Sequence, residues 1–243
     1  MIKFRKSQTS ARPKSSERKS AGRLGVRRSA GRPMSKASVG GDKLIDAMIA
    51  LLRTNEVAAI TTQDVAHRAG VDPALIRYYF GDLTGLLIAV TGRIANALQE
   101  QSAVVLRSTG TAEARLRRRA QTLVDVMEEH PRFHGLLVDN VFASKEPTAD
   151  VLLETISKQG LSLTADFVAH GVSTGQLRRV DPRFLHLMLI GICEFFVTSR
   201  PLRKILFRGA PMKGNQSQAF VDFVANVLIH GLRARDSDGS TES

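Results

Sequence analysis

The chain has 243 residues, enough for one large domain or two small ones with an ample core. Its single cysteine, Cys193, excludes an internal disulfide, and the absence of paired CxxC motifs argues against a zinc finger. The formal net charge is +12. Because the N-terminus lacks the apolar segment of a signal peptide, we expect no export.

Most of the positive charge lies at the N-terminus. Residues 1–38 contain twelve lysines and arginines and one acid, so they carry +11 of the formal +12. They have few apolar residues and are broken by Gly and Pro, which predicts a disordered arm. The arm either binds DNA phosphates, with Arg27, Arg28 and Arg32 as candidates, or is a solvated tail without a specific role. A true start at Met34 is a third interpretation.

The next segments predict three helices. Residues 42–54 place apolar side chains on one helical face. Residues 61–80, TTQDVAHRAGVDPALIRYYF, predict two short helices joined by a tight turn, with Gly70 where a positive φ is easily reached. Asp72 can cap the second helix, and Pro73 suits its first position. This is the pattern of a helix-turn-helix, whose second helix enters the DNA major groove.

Helical patterns continue to the end of the chain. The apolar stripe that begins at Leu83 predicts a long helix, which would connect the first domain to a second one. Further helices are predicted at 111–129, 131–143, 148–170, 182–199 and 216–233, and no segment has the period of a strand. We therefore predict an all-α fold with an N-terminal helix-turn-helix DNA-binding domain at 39–85, a second helical domain at 86–235 that forms the C-terminal body, and a disordered acidic tail at 236–243.

Two features of the C-terminal part are interpreted as structural and not functional. The apolar run 184–197 is shorter than the roughly 20 residues of a membrane span, so we interpret it as a buried helix and expect no membrane partner. The basic cluster Arg115, Arg117, Arg118 and Arg119 predicts a solvated helix face.

Two short motifs suggest other chemistry. Residues 171–175 match the GxSxG nucleophile motif around Ser173, but the motif requires a strand-to-helix turn, and no strand is predicted there. His130 and His134 have the spacing of a metal pair, but no third ligand is evident. We interpret both as chance matches, so we expect no enzyme activity, no metal and no cofactor.

The helix at 42–54, the segment 61–80 and the sequence GDLTGLLIAV at 81–90 together resemble the tetracycline-repressor (TetR) family of bacterial regulators. The motifs cover residues 42–90; beyond them the likeness is one of style, an all-helical body with an apolar end. The resemblance implies a homodimer, a palindromic operator in double-stranded DNA and a small-molecule ligand held in the C-terminal body.

The resemblance also implies which residues meet DNA. They lie on the second helix, at the start of the supporting helix and at the start of the long helix: Pro73, Ala74, Arg77, Tyr78, Thr62, Gln63 and Thr84. Two departures matter. The family commonly has Tyr at the position of Arg77 and His at that of Tyr79, and it commonly has Lys at that of Leu83. Arg77 can bind guanine or a phosphate through its five donors. Tyr79, on the core register, is expected to pack rather than to bind.

These observations predict a sequence-specific DNA-binding regulator, a repressor by family habit, that a small molecule releases from its operator. Such a protein would act in the cytoplasm, at the nucleoid. The alternative is an architectural protein that binds DNA non-specifically through the basic arm.

Overall fold

The computed structural model describes residues 39–208 and 215–233. Within these ranges there are ten α-helices and no β-strand, which confirms the all-α class. The helices are α1 (Val39–Leu52), α2 (Thr62–Ala69), α3 (Ala74–Phe80), α4 (Leu83–Arg107), α5 (Ala112–Glu129), α6 (Phe133–Leu137), α7 (Pro147–Ser173), α8 (Pro182–Thr198), α9 (Arg200–Leu206) and α10 (Gln216–Leu232). The predicted arm, with Arg27, Arg28 and Arg32, and the tail at 236–243 lie outside the described residues.

The first three helices share an apolar core with the start of α4. Leu44 and Met48 of α1, Val65 of α2 and Ile76 of α3 are almost completely buried. Because α1 packs against α2, α3 and α4, it holds the two short helices in place. Helices of seven or eight residues are marginal alone, so this packing is what stabilises them.

Helix α4 contacts both the first three helices and the C-terminal body. It has 25 residues, which gives a length of about 37 Å at 1.5 Å per residue. Asp82 caps it by accepting a hydrogen bond from the Gly85 N–H at 2.8 Å. Helix α4 packs against α1 and α3 near its start and against α5 and α7 further along. Since it belongs to both predicted domains, the division at residue 85 stays a prediction.

The C-terminal body is built around α5. This helix packs against α4, α8 and α10, while α7 packs against α4 and α8. The inward stripe of α5 includes Leu116 and Leu123, but also Arg115 and Arg119, which are only 5% and 3% exposed. The prediction of a solvated basic face is therefore wrong for these two arginines. They lie three or four residues from apolar positions on the same stripe, and this spacing turns them inward.

Two helix boundaries differ from the prediction. The expected helix at 131–143 is divided into α6 and a π-helical turn, Val138–Phe142. Helix α7 runs to Ser173, three residues beyond the predicted end at 170. The chain also bends by 76° between α8 and α9, beside Pro201 in the first turn of α9.

Among the described residues, no single helix is both long enough and apolar enough to cross a membrane; two sharply bent helix pairs meet that test by length and composition alone.

Candidate DNA interface

The helix-turn-helix is fixed by its caps. Thr61 and Asp64 form a capping box at the start of α2, since each side chain accepts a hydrogen bond from the other's backbone N–H. Gly70 ends α2 with φ of 65°, a conformation that favours glycine. Asp72 then accepts a hydrogen bond from the Ala74 N–H at 2.7 Å. Helix α3 therefore begins one residue later than predicted, but with the predicted capping residue.

The caps use all three acids of residues 61–84. Asp64, Asp72 and Asp82 are each engaged at a helix start, although all three stay exposed. The hydrogen bonds from Thr61 hold the pKa of Asp64 below its ordinary value. The exposed arginines of α2 and α3 are Arg68 and Arg77.

Helix α3 has one anchored face and one free face. Ile76 is buried, and Tyr79 and Phe80 pack against the core. Arg77 is exposed, and Tyr78 is 70% exposed. The assignment of Tyr79 to packing agrees with this geometry, and Tyr78 is left with its ring in solvent.

The structure exposes every residue that the resemblance assigned to DNA contact. These are Thr62 and Gln63 in the first turn of α2, Pro73 just before α3, Ala74, Arg77 and Tyr78 on α3, and Thr84 in the first turn of α4. Exposure is what DNA contact requires, but it does not test that contact, so the assignment stays a prediction. Arg68, in the last turn of α2, is a further exposed arginine that could reach DNA. Its place on the polar side of the helix period could have indicated this exposure from the sequence.

Large apolar side chains are exposed on two of the C-terminal helices. Helix α8 exposes Phe184, Leu187 and Phe195, and α10 exposes Phe223 and Val227. Phe195 and Phe223 are 63% and 67% exposed. The prediction that 184–197 is a buried helix is therefore correct for one face of α8 and wrong for the other. We call these five residues the α8–α10 face.

The two unrelated motifs have ordinary surroundings. Ser173 lies at the C-terminal end of α7 and donates its hydroxyl hydrogen bond to the His170 carbonyl, so the strand-to-helix turn that a hydrolase requires is not formed around it. His134 pairs with Glu194 of α8. Among the described residues, no group of three potential metal ligands comes together.

The sequence is similar to those of known transcriptional regulators. The family model described as "Tetracyclin repressor-like, C-terminal domain" matches residues 113–228. The HTH-type transcriptional regulator BetI of Rhizobium meliloti (strain 1021) is 30% identical over 73 residues, which make up 30% of this chain and 36% of BetI. The HTH-type transcriptional repressor NicS of Pseudomonas putida (strain KT2440) is 21% identical over 196 residues, covering 79% of this chain and 92% of NicS.

A solved structure shows the same fold. The transcriptional regulator FadR of Bacillus subtilis, crystallised in complex with stearoyl-CoA, superimposes with a TM-score of 0.59 and 17% identity. The superposition covers 78% of this chain and 98% of FadR.

A helix-turn-helix on an all-helical body, with these relatives, defines a transcriptional regulator. The C-terminal family match and the NicS match along most of both chains indicate the family of regulator. These matches are to the TetR family of transcriptional regulators, which confirms the resemblance seen in the sequence. Proteins of this family are regulators and not enzymes.

Proposed function

We propose that the protein is a repressor that binds a palindromic operator as a homodimer and leaves it when a small molecule binds in the body. The single observation that carries the proposal is the outward presentation of Arg77 and Tyr78 by a helix whose opposite face is anchored through Ile76. Arg77 reads a guanine or holds a phosphate, and Tyr78 packs on the DNA beside it. Thr62 and Gln63 bind phosphate at the start of α2, where free N–H groups favour anions.

The α8–α10 face supports the homodimer. Burial of exposed apolar surface is favourable by about 25 cal/mol per Å². Several large apolar side chains exposed on two helices favour an interface over a surface left in water. Pairing α8 and α10 with the same helices of a second copy buries these residues and produces a two-fold axis, which matches a palindromic operator.

Helix α4 supports ligand control. It packs on α1 and α3 at one end and on α5 and α7 at the other. An ion pair of 2.6 Å between Arg53 and Glu129, and another between Glu56 and Arg132, also connect the first helices to the body. A ligand in the body changes the spacing of the two α3 helices to the extent that it binds one spacing more tightly than the other.

The stearoyl-CoA of the FadR complex and the repressor name of NicS are consistent with this mode of control. The basic arm would add phosphate contacts to each subunit. Because the proposed partner is the chromosome, the proposal places the protein in the cytoplasm, at the nucleoid. The boundary at residue 85 would separate the DNA-reading part from the sensing part.

Selection of bound duplexes from a random library tests the proposal. We expect a two-fold symmetric motif whose half-sites lie about 34–36 Å apart or a multiple of this, bound by two chains or a multiple of two. Binding to that motif should exceed binding to scrambled DNA by at least about 10³-fold. A ratio near one, or a motif without symmetry, would instead support the architectural alternative.

A further inference from the structure

A cleft of about 500 Å³ opens in the body between the end of α4, the start of α5 and the C-terminal half of α7. Small-molecule sites have volumes of about 300–1,000 Å³. Leu106, Leu163 and Phe167 provide apolar wall, and all three are buried. The buried Arg115 also lines the cleft. A cavity with this wall accepts a ligand that is apolar over most of its surface and carries one charged group.

Arg115 has no carboxylate partner among the described residues. Its Nε and Nη2 atoms are buried without a hydrogen-bond acceptor, and its Nη1 reaches only the Leu106 carbonyl, at 3.5 Å. The guanidinium carbon lies 5.5 Å from the ring centre of Phe167, which provides a cation–π contact but no counter-charge. Asp166 lines the outer part of the cleft and makes no ion pair with Arg115. A buried charge left in this way is unfavourable for the fold.

Arg119 repeats the pattern one turn further along α5. Its Nη1 atom is buried without an acceptor, and no carboxylate of the described residues lies within ion-pair distance. Burial lowers the pKa of Arg119 to about 10, so the side chain keeps its charge at neutral pH. Its titratable neighbours on α8 are Cys193 and His186, and the His186 ring hydrogen-bonds to the Thr164 hydroxyl at 3.0 Å. Two unneutralised positive charges therefore lie on the same inward stripe.

We propose that the body binds an organic anion whose carboxylate or phosphate oxygens pair with Arg115 at the cleft and with Arg119 one turn beyond, while its apolar part lies against Leu163 and Phe167. This inference rests on the ligand-controlled regulator proposed above and specifies the chemical class of its ligand. Side chains four residues apart on a helix share one face. The planar donor fork of arginine matches the oxygens of a carboxylate or a phosphate. An anion would provide the acceptors that the chain itself does not.

Thermal unfolding of the full chain with paired probes tests the charge requirement. The carboxylate probes are decanoate, phenylacetate and benzoate, each compared with its primary amide; the phosphate probes are coenzyme A and decanoyl-CoA. We expect at least one anion to raise Tm while the amide of the same skeleton does not. A response to decanoate assigns the arginines to a carboxylate, and a response to decanoyl-CoA and coenzyme A alone assigns them to phosphate. No response to any anion, or equal responses to acid and amide, overturns the inference.

Arginine substitutions test the two residues directly. In Arg115→Met and Arg119→Met we expect binding of the active anion to weaken roughly tenfold or more, because a charged hydrogen-bonding partner is removed. Without ligand, each variant should be at least as stable as the parent protein, since an unpaired buried charge is replaced by an apolar side chain. Variants that are less stable and still respond fully to the anion would mean a structural role and would overturn the inference. Should a variant fail to fold, the comparison of acid with amide on the parent protein still decides.

The matched control is Arg117→Met. Arg117 lies on the same helix but is only partly buried and faces α10, where it pairs with Asp222 at 2.6 Å. Removal of this partly exposed pair should leave the response to the anion unchanged. Specific binding to the selected duplex is measured on the same samples by fluorescence anisotropy. Specific DNA binding without any anion response overturns this inference alone, whereas the absence of sequence preference overturns the proposed function itself.

Discussion

Tyr78 and Tyr79 are neighbours in the chain and touch edge to face, with ring centres 4.8 Å apart, yet they serve different surfaces. Tyr79 packs against α1 so closely that a Cβ added at Gly40 would lie 3.2 Å from its ring. Tyr78 keeps its ring in solvent. Consecutive residues on a helix are about 100° apart, so one tyrosine can fix the position of α3 while the other points away from the core.

The orientation of α3 makes Arg77 the first residue to test. We expect Arg77→Ala to weaken binding to the selected operator about 10- to 100-fold, since a good arginine–base contact contributes about 1–3 kcal/mol. Fluorescence anisotropy at fixed salt measures this. If Arg77 contacts a base, specificity relaxes at one position; if it contacts a phosphate, affinity falls equally for all duplexes.

Lys158→Ala is the control for this experiment. Lys158 lies on the exposed side of α7 and pairs only with Glu154. Its removal should leave operator binding unchanged. Equal affinity of Arg77→Ala and Lys158→Ala for the operator contradicts the role given to Arg77.

Gly85 controls how α3 meets α4. A Cβ at this position would lie 2.0 Å from the Phe80 carbonyl oxygen, which belongs to the backbone and cannot rotate away. We expect Gly85→Ala to reduce the free energy of unfolding by about 1–3 kcal/mol and to weaken operator binding by moving α3. Urea unfolding and anisotropy measure the two effects. Gly135→Ala is the control, because nothing lies within 4 Å of an added Cβ there, and its stability should change by less than about 1 kcal/mol.

Much of the DNA-reading part was predictable because its signals are local. The capping residue Asp72, the glycine at 70 and the apolar period through Val65 and Ile76 each act within a few positions of the chain. Their agreement specifies one local geometry, and the structure has it. The contacts with DNA could be assigned only through the resemblance, because exposure alone does not name a partner.

The body was less predictable for a physical reason. An apolar residue such as Phe195 has the same pattern whether it is buried within one chain or between two chains, so the period of α8 could not show that four of its apolar residues are exposed. For Arg115 and Arg119 the error was the opposite, since a solvated position was predicted and both are buried. Four arginines in five positions suggested a solvated face, although the apolar stripe through Leu116 and Leu123 already placed two of them inside.

The exposed aromatic residues give a prediction for assembly. We expect Phe195→Asp and Phe223→Asp to convert a dimer into a folded monomer, since each places a carboxylate in the proposed apolar interface. Light scattering after size exclusion measures the mass, and circular dichroism checks the helix content. Phe142→Asp is the control, because Phe142 is exposed in the π-helical turn outside the α8–α10 face. A parent protein that is already monomeric, or Phe195→Asp and Phe223→Asp variants that stay dimeric, contradicts the proposed interface.

The basic arm gives a prediction about salt. Deletion of residues 1–33 removes eleven lysines and arginines. If they bind phosphates, the slope of log affinity against log salt should flatten by roughly 0.9 for each phosphate that is no longer neutralised. Affinity should fall similarly for operator and scrambled duplexes, because phosphate contacts carry no sequence information. An unchanged slope would mean that the arm is a solvated tail.

The capping box of α2 gives a prediction about pH. The hydrogen bonds from Thr61 lower the pKa of Asp64 in the folded state. Asp64 therefore contributes stability that is complete above the ordinary aspartate pKa of about 3.9 and is lost as the pH falls through the lower folded value. Asp64→Asn should be less stable than the parent protein at pH 7, and the difference should shrink as the pH falls below about 4. Urea unfolding followed by circular dichroism at several pH values measures this difference.

Thr61→Ala separates the two hydrogen bonds from Thr61 that lower the pKa of Asp64. It removes the side-chain hydrogen bond, which is the largest cause of the lowered pKa of Asp64, and leaves the backbone N–H of residue 61 as a donor. We expect a decrease of about 1 kcal/mol in the free energy of unfolding, as for other N-cap threonines. The stability difference between Thr61→Ala and Thr61→Ala/Asp64→Asn should then depend less on pH than the difference between the parent protein and Asp64→Asn. An equal pH dependence in both pairs would mean that the Thr61 hydroxyl does not hold the Asp64 carboxylate in its charged form.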